Sequence, residues 1–341
     1  MNECDVQMRE VGRTVRIAVV GIGKMGLLHA CILNALPGVK LEAVCDKSAL
    51  IRRLSNKVLH DIQFVDDLYR LTALGLDGVY ITTPIPSHFA LAKAVYSEKI
   101  APNLFIEKTL ASNYTQAKEL CELASVSGGV NIVGYMKRFS VTFNKAKEML
   151  GQATLGRLSS FQAHAYSSDF ADVRKGSTSA GARGGVLSDL GSHVIDLALW
   201  FFQDLKVESA RLKSSSVPGS EDAVEFEVMG PESLEGNFDV SWCLKEYHVP
   251  EFGLTVHGDK GNMTVSDDEV ILEASDGKMK KWYRHDLGDN VEFLLGEPEY
   301  CQEDKHFVSS ILENRKSQPD FVTASRVDEI IEQVRGRINI K

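Results

Sequence analysis

The sequence predicts two domains, an α/β domain with a parallel sheet followed by an α+β domain built on a mostly antiparallel, open sheet. Residues 14–135 alternate apolar strands with helical segments, which is the pattern of βαβ units. Beyond residue 156, short alternating strands are instead separated by turn signals such as Asp276-Gly277. With 341 residues, 44% of them hydrophobic, the chain is long enough for two domains with cores of their own.

The first predicted strand, residues 14–20, leads directly into Gly21-Ile-Gly-Lys-Met-Gly26. Gly-x-Gly-x-x-Gly between a strand and a helix is the fingerprint of a Rossmann dinucleotide-binding turn. The first glycine permits the tight turn, the second lets a pyrophosphate approach, and the third lets the helix of residues 25–34 pack closely. The pyrophosphate is then expected at the N-terminus of that helix. The predicted cofactor contacts here are Gly21, Gly23, Lys24, Met25 and Gly26.

A second predicted strand, residues 39–45, is followed by Asp46, twenty residues after Gly26. At this spacing a carboxylate is expected to hold the ribose hydroxyls of a bound dinucleotide. Because a carboxylate disfavours a 2′-phosphate, the sequence predicts NAD rather than NADP. Basic residues close by keep NADP as the alternative, namely Lys47, Arg52 and Arg53.

Two further strands of this domain end in polar residues. Residues 78–82 lead into Thr83-Pro-Ile-Pro-Ser-His88, and a predicted strand of residues 103–109 carries Glu107 and Lys108 at its carboxyl end. Loops at the carboxyl ends of parallel strands line the ligand crevice, and a lysine there can polarise a substrate oxygen. An ordinary surface Glu-Lys pair is the alternative for Lys108, and a capping or buried side chain is the alternative for His88. The predicted cofactor contacts in these segments are Thr83, Pro84, His88 and Glu107.

The stretch with the most chemical information is Gly184-Gly-Val-Leu-Ser-Asp-Leu-Gly-Ser-His193 in the second domain. A helix that begins near Ser188 places Asp189 and His193 one turn apart on one face, with apolar side chains on the other. A carboxylate near an imidazole can hold the ring and tune its proton near neutral pH, which suits general acid–base catalysis. A solvated i,i+4 ion pair is the alternative. Asp196, further along the helix, is predicted to be structural.

Charge and composition exclude several classes of function. A formal net charge of −9 without a basic stripe argues against a nucleic-acid or anionic-membrane partner. No apolar run reaches membrane-spanning length and the first ten residues lack the apolar core of a signal peptide, so a cytoplasmic protein is expected. The six cysteines form no Cys-x-x-Cys and no Cys/His cluster, so no metal site is expected.

Four motifs in fixed order resemble the glucose-fructose oxidoreductase, inositol dehydrogenase and MocA family. They are the glycine motif, Thr83-Pro84 with His88, Glu107-Lys108, and the Gly184 stretch with its Asp and His. The resemblance implies an NAD(P)-dependent dehydrogenase that transfers a hydride between the nicotinamide and a secondary hydroxyl of a sugar, cyclitol or sugar nucleotide. The family's Glu-Lys-Pro is Glu107-Lys-Thr109 in this chain, so the rigid turn that proline provides is missing.

The resemblance also assigns roles to residues. It implies that His193 is the general base, that Lys108 polarises the reacting oxygen, and that Asp189 orients the substrate and the imidazole. The polar segment 166–183 is expected to face a small sugar or polyol substrate. Further predicted substrate contacts are Arg138, Tyr166 and Arg183, with Lys137 beside the first of them.

For the domains, we expect a Rossmann domain over residues 14–135 and a substrate-binding and oligomerisation domain over residues 136–341. The helices of residues 300–315 and 323–334 are expected to pack back on the first domain, and the open sheet to mediate a homodimer or homotetramer. Two other functions remain alternatives: an NAD-dependent glycosidase that oxidises its sugar transiently, and a non-catalytic sugar or cofactor sensor. Intact Lys108, Asp189 and His193 argue against the sensor.

Overall fold

A computed structural model describes residues 13–59, 61–170, 183–215, 220–289 and 297–338. Contacts between these residues divide them into two units, the first containing residues 13–134 and 297–325 and the second residues 135–289 and 326–338. The predicted combination of an α/β unit and an α+β unit is confirmed. Most of the polar segment predicted to face the substrate, residues 171–182, lies outside the described residues.

In chain order, the described elements are β1 (Val15–Val20), α1 (Lys24–Ala35), β2 (Val39–Cys45), α2 (Ala49–Ser55), β3 (Gln63–Val65), β4 (Gly78–Ile81), α3 (His88–Ser97), β5 (Asn103–Glu107), α4 (Tyr114–Ser127), β6 (Asn131–Gly134), α5 (Val141–Gly151), β7 (Leu158–Tyr166), α6 (Ser192–Phe202), β8 (Lys206–Ser214), β9 (Ala223–Met229), β10 (Glu235–Ser241), β11 (Glu251–Gly258), β12 (Gly261–Ser266), β13 (Glu269–Ala274), β14 (Met279–Tyr283), α7 (Pro298–Glu313) and α8 (Phe321–Ile338). Short 3₁₀ turns include Leu68–Leu74, Ile85–Ser87 and Met136–Phe139, and a π turn spans Leu187–Gly191.

Six described strands of the first unit form a parallel sheet in the order β3-β2-β1-β4-β5-β6. Its central strands are buried runs of apolar side chains, as expected where helices cover both faces of a parallel sheet. On one face, Tyr80 stacks on Phe105 and Phe307 of α7 meets Tyr80 edge-on. The order reverses direction at β1 and β4, so the loops after these strands flank the switch point where open α/β sheets bind ligands.

Eight described strands of the second unit form a sheet in the order β14-β13-β12-β11-β7-β10-β9-β8, antiparallel except for the β7–β10 pair. Side chains alternate between its faces. Phe161 of β7 stacks on Phe202 of α6 and meets Phe238 of β10 edge-on, so these rings lie on the face that α6 covers. The mostly antiparallel open sheet predicted for this unit is therefore confirmed.

The helix expected to begin near Ser188 differs from its prediction in two ways. A π turn, Leu187–Gly191, precedes the regular helix α6. All residues of α6 except Trp200 are buried, so the alternative of a solvated helix face does not apply to α6. The physical reason is that α6 contacts β7 and β11 of the sheet and also α5 and the turn Met136–Phe139. Such π turns occur often at functional sites.

The C-terminal helices divide between the two units. Helix α7 contacts α1, β1 and β6 and belongs to the first unit, whereas residues 326–338 of α8 belong to the second. Within that unit, Arg326 pairs with Asp204, and Gln333 accepts the N–H of Val207. The expectation that both helices pack back on the first domain stays a prediction for α8.

Over the described parts of the chain, no helix combines the length and the hydropathy needed to cross a bilayer.

Candidate functional site

The glycine motif of the first unit forms a tight turn between β1 and α1. Gly21 has φ +92°, a value that L side chains rarely adopt. A Cβ on Gly26 would lie 1.8 Å from the carbonyl oxygen of Gly21, so only glycine fits there. The Thr82 hydroxyl at the end of β4 donates to that same carbonyl at 2.6 Å, which fixes the turn against the switch point of the sheet.

Gly23 differs from the two other glycines of the motif. Its φ of −74° is open to any residue, and among the described residues no protein atom lies within 4 Å of a Cβ built on it. Neither backbone conformation nor packing explains this glycine. Gly23 is also the N-cap of α1 and has no side chain to cap the helix. The turn therefore fits the approach of a dinucleotide pyrophosphate to the helix N-terminus, as the motif requires.

The Asp46 carboxylate is fixed beside this turn by two main-chain donors. Its Oδ2 accepts the N–H of Ile22 and its Oδ1 accepts the N–H of Ser48, both at 2.8 Å. Arg52 donates to the main-chain carbonyl of Asp46 and not to the carboxylate. Each carboxylate oxygen keeps a further lone pair for a ribose hydroxyl. The residues of the turn and Asp46 together fit NAD.

The predicted contacts after β4 show a different arrangement. The Thr83 and Ser87 hydroxyls are 2.7 Å apart, beside Pro84. His88 is fully buried, with Nδ1 2.8 Å from the carbonyl oxygen of Thr109 and Nε2 2.7 Å from that of Thr83. Burial lowers the pKa of His88. This geometry favours the buried alternative for His88, which links two loops at the carboxyl edge of the sheet, and its direct contact with a cofactor stays a prediction.

Glu107 and Lys108 end β5 at the same edge of the sheet. Glu107 Oε2 accepts the N–H of Lys108 at 3.1 Å, while Oε1 lies 2.9 Å from Nε2 of the buried His29. Lys108 is only partly exposed, and its peptide bond to Thr109, where the family has proline, is cis. The lysine therefore leaves the sheet from a main chain that Glu107 holds in place.

In the second unit, the π turn Leu187–Gly191 carries Asp189. Its Oδ2 accepts from Arg183 Nη1 at 3.0 Å, and the same nitrogen lies 2.6 Å from Asp169 Oδ2. Glu221, fully buried, supports the start of the turn and pairs at 2.7 Å with Arg335 of α8. Arg183 is thus placed beside Asp189, where it can hold the carboxylate or a substrate oxygen.

His193 lies one turn after Asp189, on α6, and is only 8% exposed. The rings of Phe252 and Tyr135 meet its imidazole edge-on, at centroid distances of 5.1 and 6.3 Å. On the same Phe252 ring lies the ammonium of Lys137, 4.9 Å from the centroid and 2.7 Å from Asp267 Oδ1. An imidazole with apolar walls and a nearby carboxylate-bearing turn suits proton transfer in a poorly hydrated environment.

Arg138 and Asp196 form a buried bidentate ion pair. Arg138 Nε and Nη2 donate to the two carboxylate oxygens at 2.7 Å each. The side chains are 6% and 1% exposed. Burial raises the pKa of Asp196, an effect that Arg138 opposes. The pair gives Asp196 the structural role predicted for it. Substrate contact by Arg138 stays a prediction, and only the guanidinium N–H groups outside the pair are available for it.

Tyr166, a predicted substrate contact, lies at the end of β7. Its neighbour Ala165 is paired with Phe252, on the sheet face that α6 covers. Because side chains alternate along a strand, Tyr166 lies on the opposite face from His193, and its hydroxyl donates to Asp239 at 3.1 Å. Substrate contact by Tyr166 stays a prediction, and its side chain does not share a sheet face with Phe252, the ring beside His193.

Several residues around these sites escaped the sequence reasoning. His29 of α1 and Asp304 of α7 are both fully buried, His29 lies between Asp304 and Glu107, and Arg335 of α8 donates to Ser188 in the π turn. The available signal was a lone polar residue at a core position of a helix, which is unremarkable until its partner is known. The parts of the chain that the structure describes contain no group of three or more His, Cys, Asp or Glu side chains placed to hold a metal ion.

The first unit thus defines a dinucleotide-binding protein, and the second places an imidazole and a carboxylate on consecutive turns. Residues 15–135 match the oxidoreductase family with an NAD-binding Rossmann fold, and residues 143–264 match the GFO/IDH/MocA C-terminal domain. The two matches cover more than half of the chain. The protein belongs to the GFO/IDH/MocA oxidoreductase family, and its first unit is the family's NAD-binding domain.

Curated relatives include dehydrogenases of cyclitols and sugars. The scyllo-inositol 2-dehydrogenase (NAD(+)) of Bacillus subtilis is 30% identical over 42% of this chain and 42% of that protein. The D-glucoside 3-dehydrogenase of Escherichia coli is 24% identical over 70% of this chain and 64% of that protein. The chain thus spans less than two thirds of the length of either relative. Among solved structures, levoglucosan dehydrogenase in complex with NADH has a TM-score of 0.86 at 16% identity and covers 96% of this chain and 98% of its own.

Proposed function

We propose that this protein is an NAD-dependent dehydrogenase that oxidises a secondary hydroxyl of a sugar, a cyclitol or a sugar nucleotide, or reduces the corresponding ketone. The observation that carries the proposal is the NAD-type turn with Gly23 open to a ligand and the Asp46 carboxylate fixed beside it. Support for the substrate class comes from the relatives, which are named for inositol and D-glucoside oxidation.

In the proposed reaction, His193 takes the proton of the substrate hydroxyl and returns it in the reverse direction. Lys108 donates a hydrogen bond to the reacting oxygen and stabilises its developing charge. Asp189, with Arg183 beside it, orients the substrate next to the imidazole. When bound, NAD supplies the acceptor for the hydride of the carbinol carbon. The aromatic ring of Phe252 excludes water from one side of His193.

The test is a screen of the purified protein with NAD and NADP against inositols, alkyl D-glucosides, levoglucosan, free aldoses and nucleotide sugars. Absorbance of the reduced nicotinamide and chromatography of the products are followed together. A polyol or sugar that produces NADH and a ketone supports the proposal. Release of an aglycone without net NADH would establish the transient-oxidation glycosidase instead. Binding of NAD and sugar without turnover across the panel would favour the sensor.

Cofactor choice gives a prediction at Asp46. Asp46→Asn keeps the size of the side chain but removes the charge that repels a 2′-phosphate, so the ratio of the NADP and NAD dissociation constants should shift toward NADP by about tenfold, the equivalent of roughly 1.4 kcal/mol. Titration of each cofactor by fluorescence or calorimetry measures this ratio. Asp66→Asn is the matched control, since Asp66 lies near Arg52 but is half exposed. An equal response of both variants, or tighter NADP than NAD binding by the unaltered protein, contradicts the assignment.

Assembly through the sheet of the second unit is also part of the proposal. The face opposite α6 carries exposed polar side chains such as Gln162 and Arg211 together with the stacked rings of His164 and Tyr166. A polar face with aromatic side chains suits contact with a second copy of the chain.

A further inference from the structure

A buried chain of three ionisable side chains leads to Lys108 from the interior of the first unit. His29 on α1 is fully buried, and its Nδ1 lies 2.9 Å from Asp304 Oδ1 and 3.0 Å from Oδ2. Its Nε2 lies 2.9 Å from Glu107 Oε1. Asp304, on α7, is fully buried as well, whereas the Glu107 side chain is 11% exposed. The proposed reaction has so far given His29 and Asp304 no role.

The hydrogen-bonding geometry determines the protonation state of His29. Both ring nitrogens face carboxylate oxygens, and a neutral imidazole has only one N–H to donate. Only the imidazolium satisfies both carboxylates when these are ionised. Burial raises the pKa of Asp304, an effect that the pairing with His29 opposes. Burial acts to lower the pKa of His29, but Asp304 and Glu107 outweigh it and raise the pKa well above its usual value. Burial likewise acts to raise the pKa of Glu107, yet His29 and Lys108 bring it below its usual value.

The surroundings of His29 are otherwise aromatic or acidic. The rings of Tyr80, Phe105 and Tyr300 lie 5.0–6.0 Å from the imidazole centroid. Titratable or charged groups surround His29 from β4, β5 and α7, the elements packed against α1. They are Asp304, Glu107, Lys108, Tyr80, Tyr300, Glu299 and Glu303.

Glu107 connects His29 to the main chain of Lys108. One of its oxygens faces the imidazolium and the other accepts the N–H of Lys108 at 3.1 Å. On the far side of the lysine, the carbonyl of Thr109 faces His88. The main chain that carries Lys108 is thereby held on both sides, and rotation of the Glu107 carboxylate would release the first of these contacts.

We propose that His29 is a positioning residue for Lys108: its imidazolium, charge-balanced by Asp304, orients the Glu107 carboxylate that holds the lysine's main chain. This inference rests on the proposed function, since it assigns Lys108 to the reacting oxygen. It extends the site to Asp304, which lies 275 positions after His29 in the sequence. Neither His29 nor Asp304 touches the substrate in this arrangement.

The consequence is a defined pH response. In the unaltered protein, His29 stays protonated through neutral pH and contributes no step to the profile of kcat. In the Asp304→Asn variant, Glu107 is the only carboxylate that opposes the lowering of the His29 pKa by burial, so this pKa falls toward neutrality. Above that pKa the ring is neutral and no longer holds Glu107 by its charge, and of its two tautomers only the one protonated on Nε2 still donates to Glu107. A new loss of kcat with rising pH is therefore expected, about tenfold to 100-fold at its plateau.

Two measurements test the inference. The first is the nitrogen NMR spectrum of the full chain labelled at histidine, with His29→Gln identifying the resonances of that ring. Two protonated ring nitrogens between pH 6 and 8 are expected, and a neutral ring at pH 7 would overturn the inference. This measurement needs no substrate and no altered residue in the final sample, so it decides the charge state even if Asp304→Asn does not fold.

The second measurement compares the pH profiles of kcat for Asp304→Asn and Glu303→Gln. Glu303 is the matched control, because it precedes Asp304 on α7 and is equally buried but is not a partner of the His29 nitrogens. Only Asp304→Asn should gain the alkaline step, while its affinity for NAD stays close to that of the unaltered protein. A folded Asp304→Asn with an unchanged profile refutes the positioning role. Failure of the proposed function is recognised separately, since the unaltered protein would then bind NAD but turn over no substrate.

Discussion

His193→Asn should lower kcat by about 10²- to 10⁴-fold, the usual contribution of a general acid–base residue. Asparagine keeps a polar side chain among the rings of Phe252 and Tyr135, so the second unit should retain its fold. The affinity for NAD should change little, because the glycine turn and Asp46 belong to the first unit. Steady-state kinetics with the substrate found in the screen, together with NAD titration, measure both quantities.

The matched control for this variant is His285→Asn. His285 belongs to the same unit as His193, and its side chain is 81% exposed. It should turn over at the rate of the unaltered protein. Lys108→Met should resemble His193→Asn, with Lys93→Met on the surface of α3 as its control. Equal turnover by a variant and its control would remove that residue from the mechanism.

Asp196→Asn should destabilise the second unit by about 3–5 kcal/mol, because it leaves the Arg138 guanidinium buried without its counter-charge. The effect should appear as a lower midpoint of urea unfolding. All three tryptophans, Trp200, Trp242 and Trp282, belong to this unit, so their fluorescence follows its unfolding without a contribution from the first. Midpoints of all variants are compared at the same neutral pH.

Glu148→Gln on α5 is the control for the buried pair. Its ion pair with Lys145 has the carboxylate 51% exposed, so solvent screens the interaction and its contribution to stability is small. Arg138→Met combined with Asp196→Asn should cost less than the sum of the single changes, because the second change removes the charge that the first leaves unpaired. Similar midpoints for Asp196→Asn and Glu148→Gln would show that the pair does not stabilise the unit.

The sequence predicted the features that depend on local spacing. The glycine turn is recognised from glycines at fixed positions after a strand, and the acidic residue is recognised from its place after the second strand. Gly21, Gly26 and Asp46 could therefore be placed without a structure. The mostly antiparallel second sheet followed from alternation and turn signals. The parallel β7–β10 pair within it could not be predicted, because strand pairing across long separations leaves no local pattern.

Periodicity was misleading where burial is not one-sided. The segment around Asp189 and His193 was predicted as one helix, with a solvated face as the alternative, but a π turn precedes α6 and α6 is buried on nearly every side. Tyr166 was predicted as a substrate contact at the start of the polar segment 166–183. Because side chains alternate along β7, the Tyr166 side chain points away from α6. Both differences arise from the sheet against which these residues pack.

By itself, then, the sequence determined the order of the elements, the NAD-type turn and the residue types available for proton transfer, since each depends on neighbours along the chain. Only the tertiary structure decided which charges meet. Asp304 reaches His29, Asp196 reaches Arg138, and Arg335 reaches the turn of Asp189 over separations that no local pattern encodes. The physical reason is that a buried charge requires a partner, and folding alone brings that partner from a distant segment.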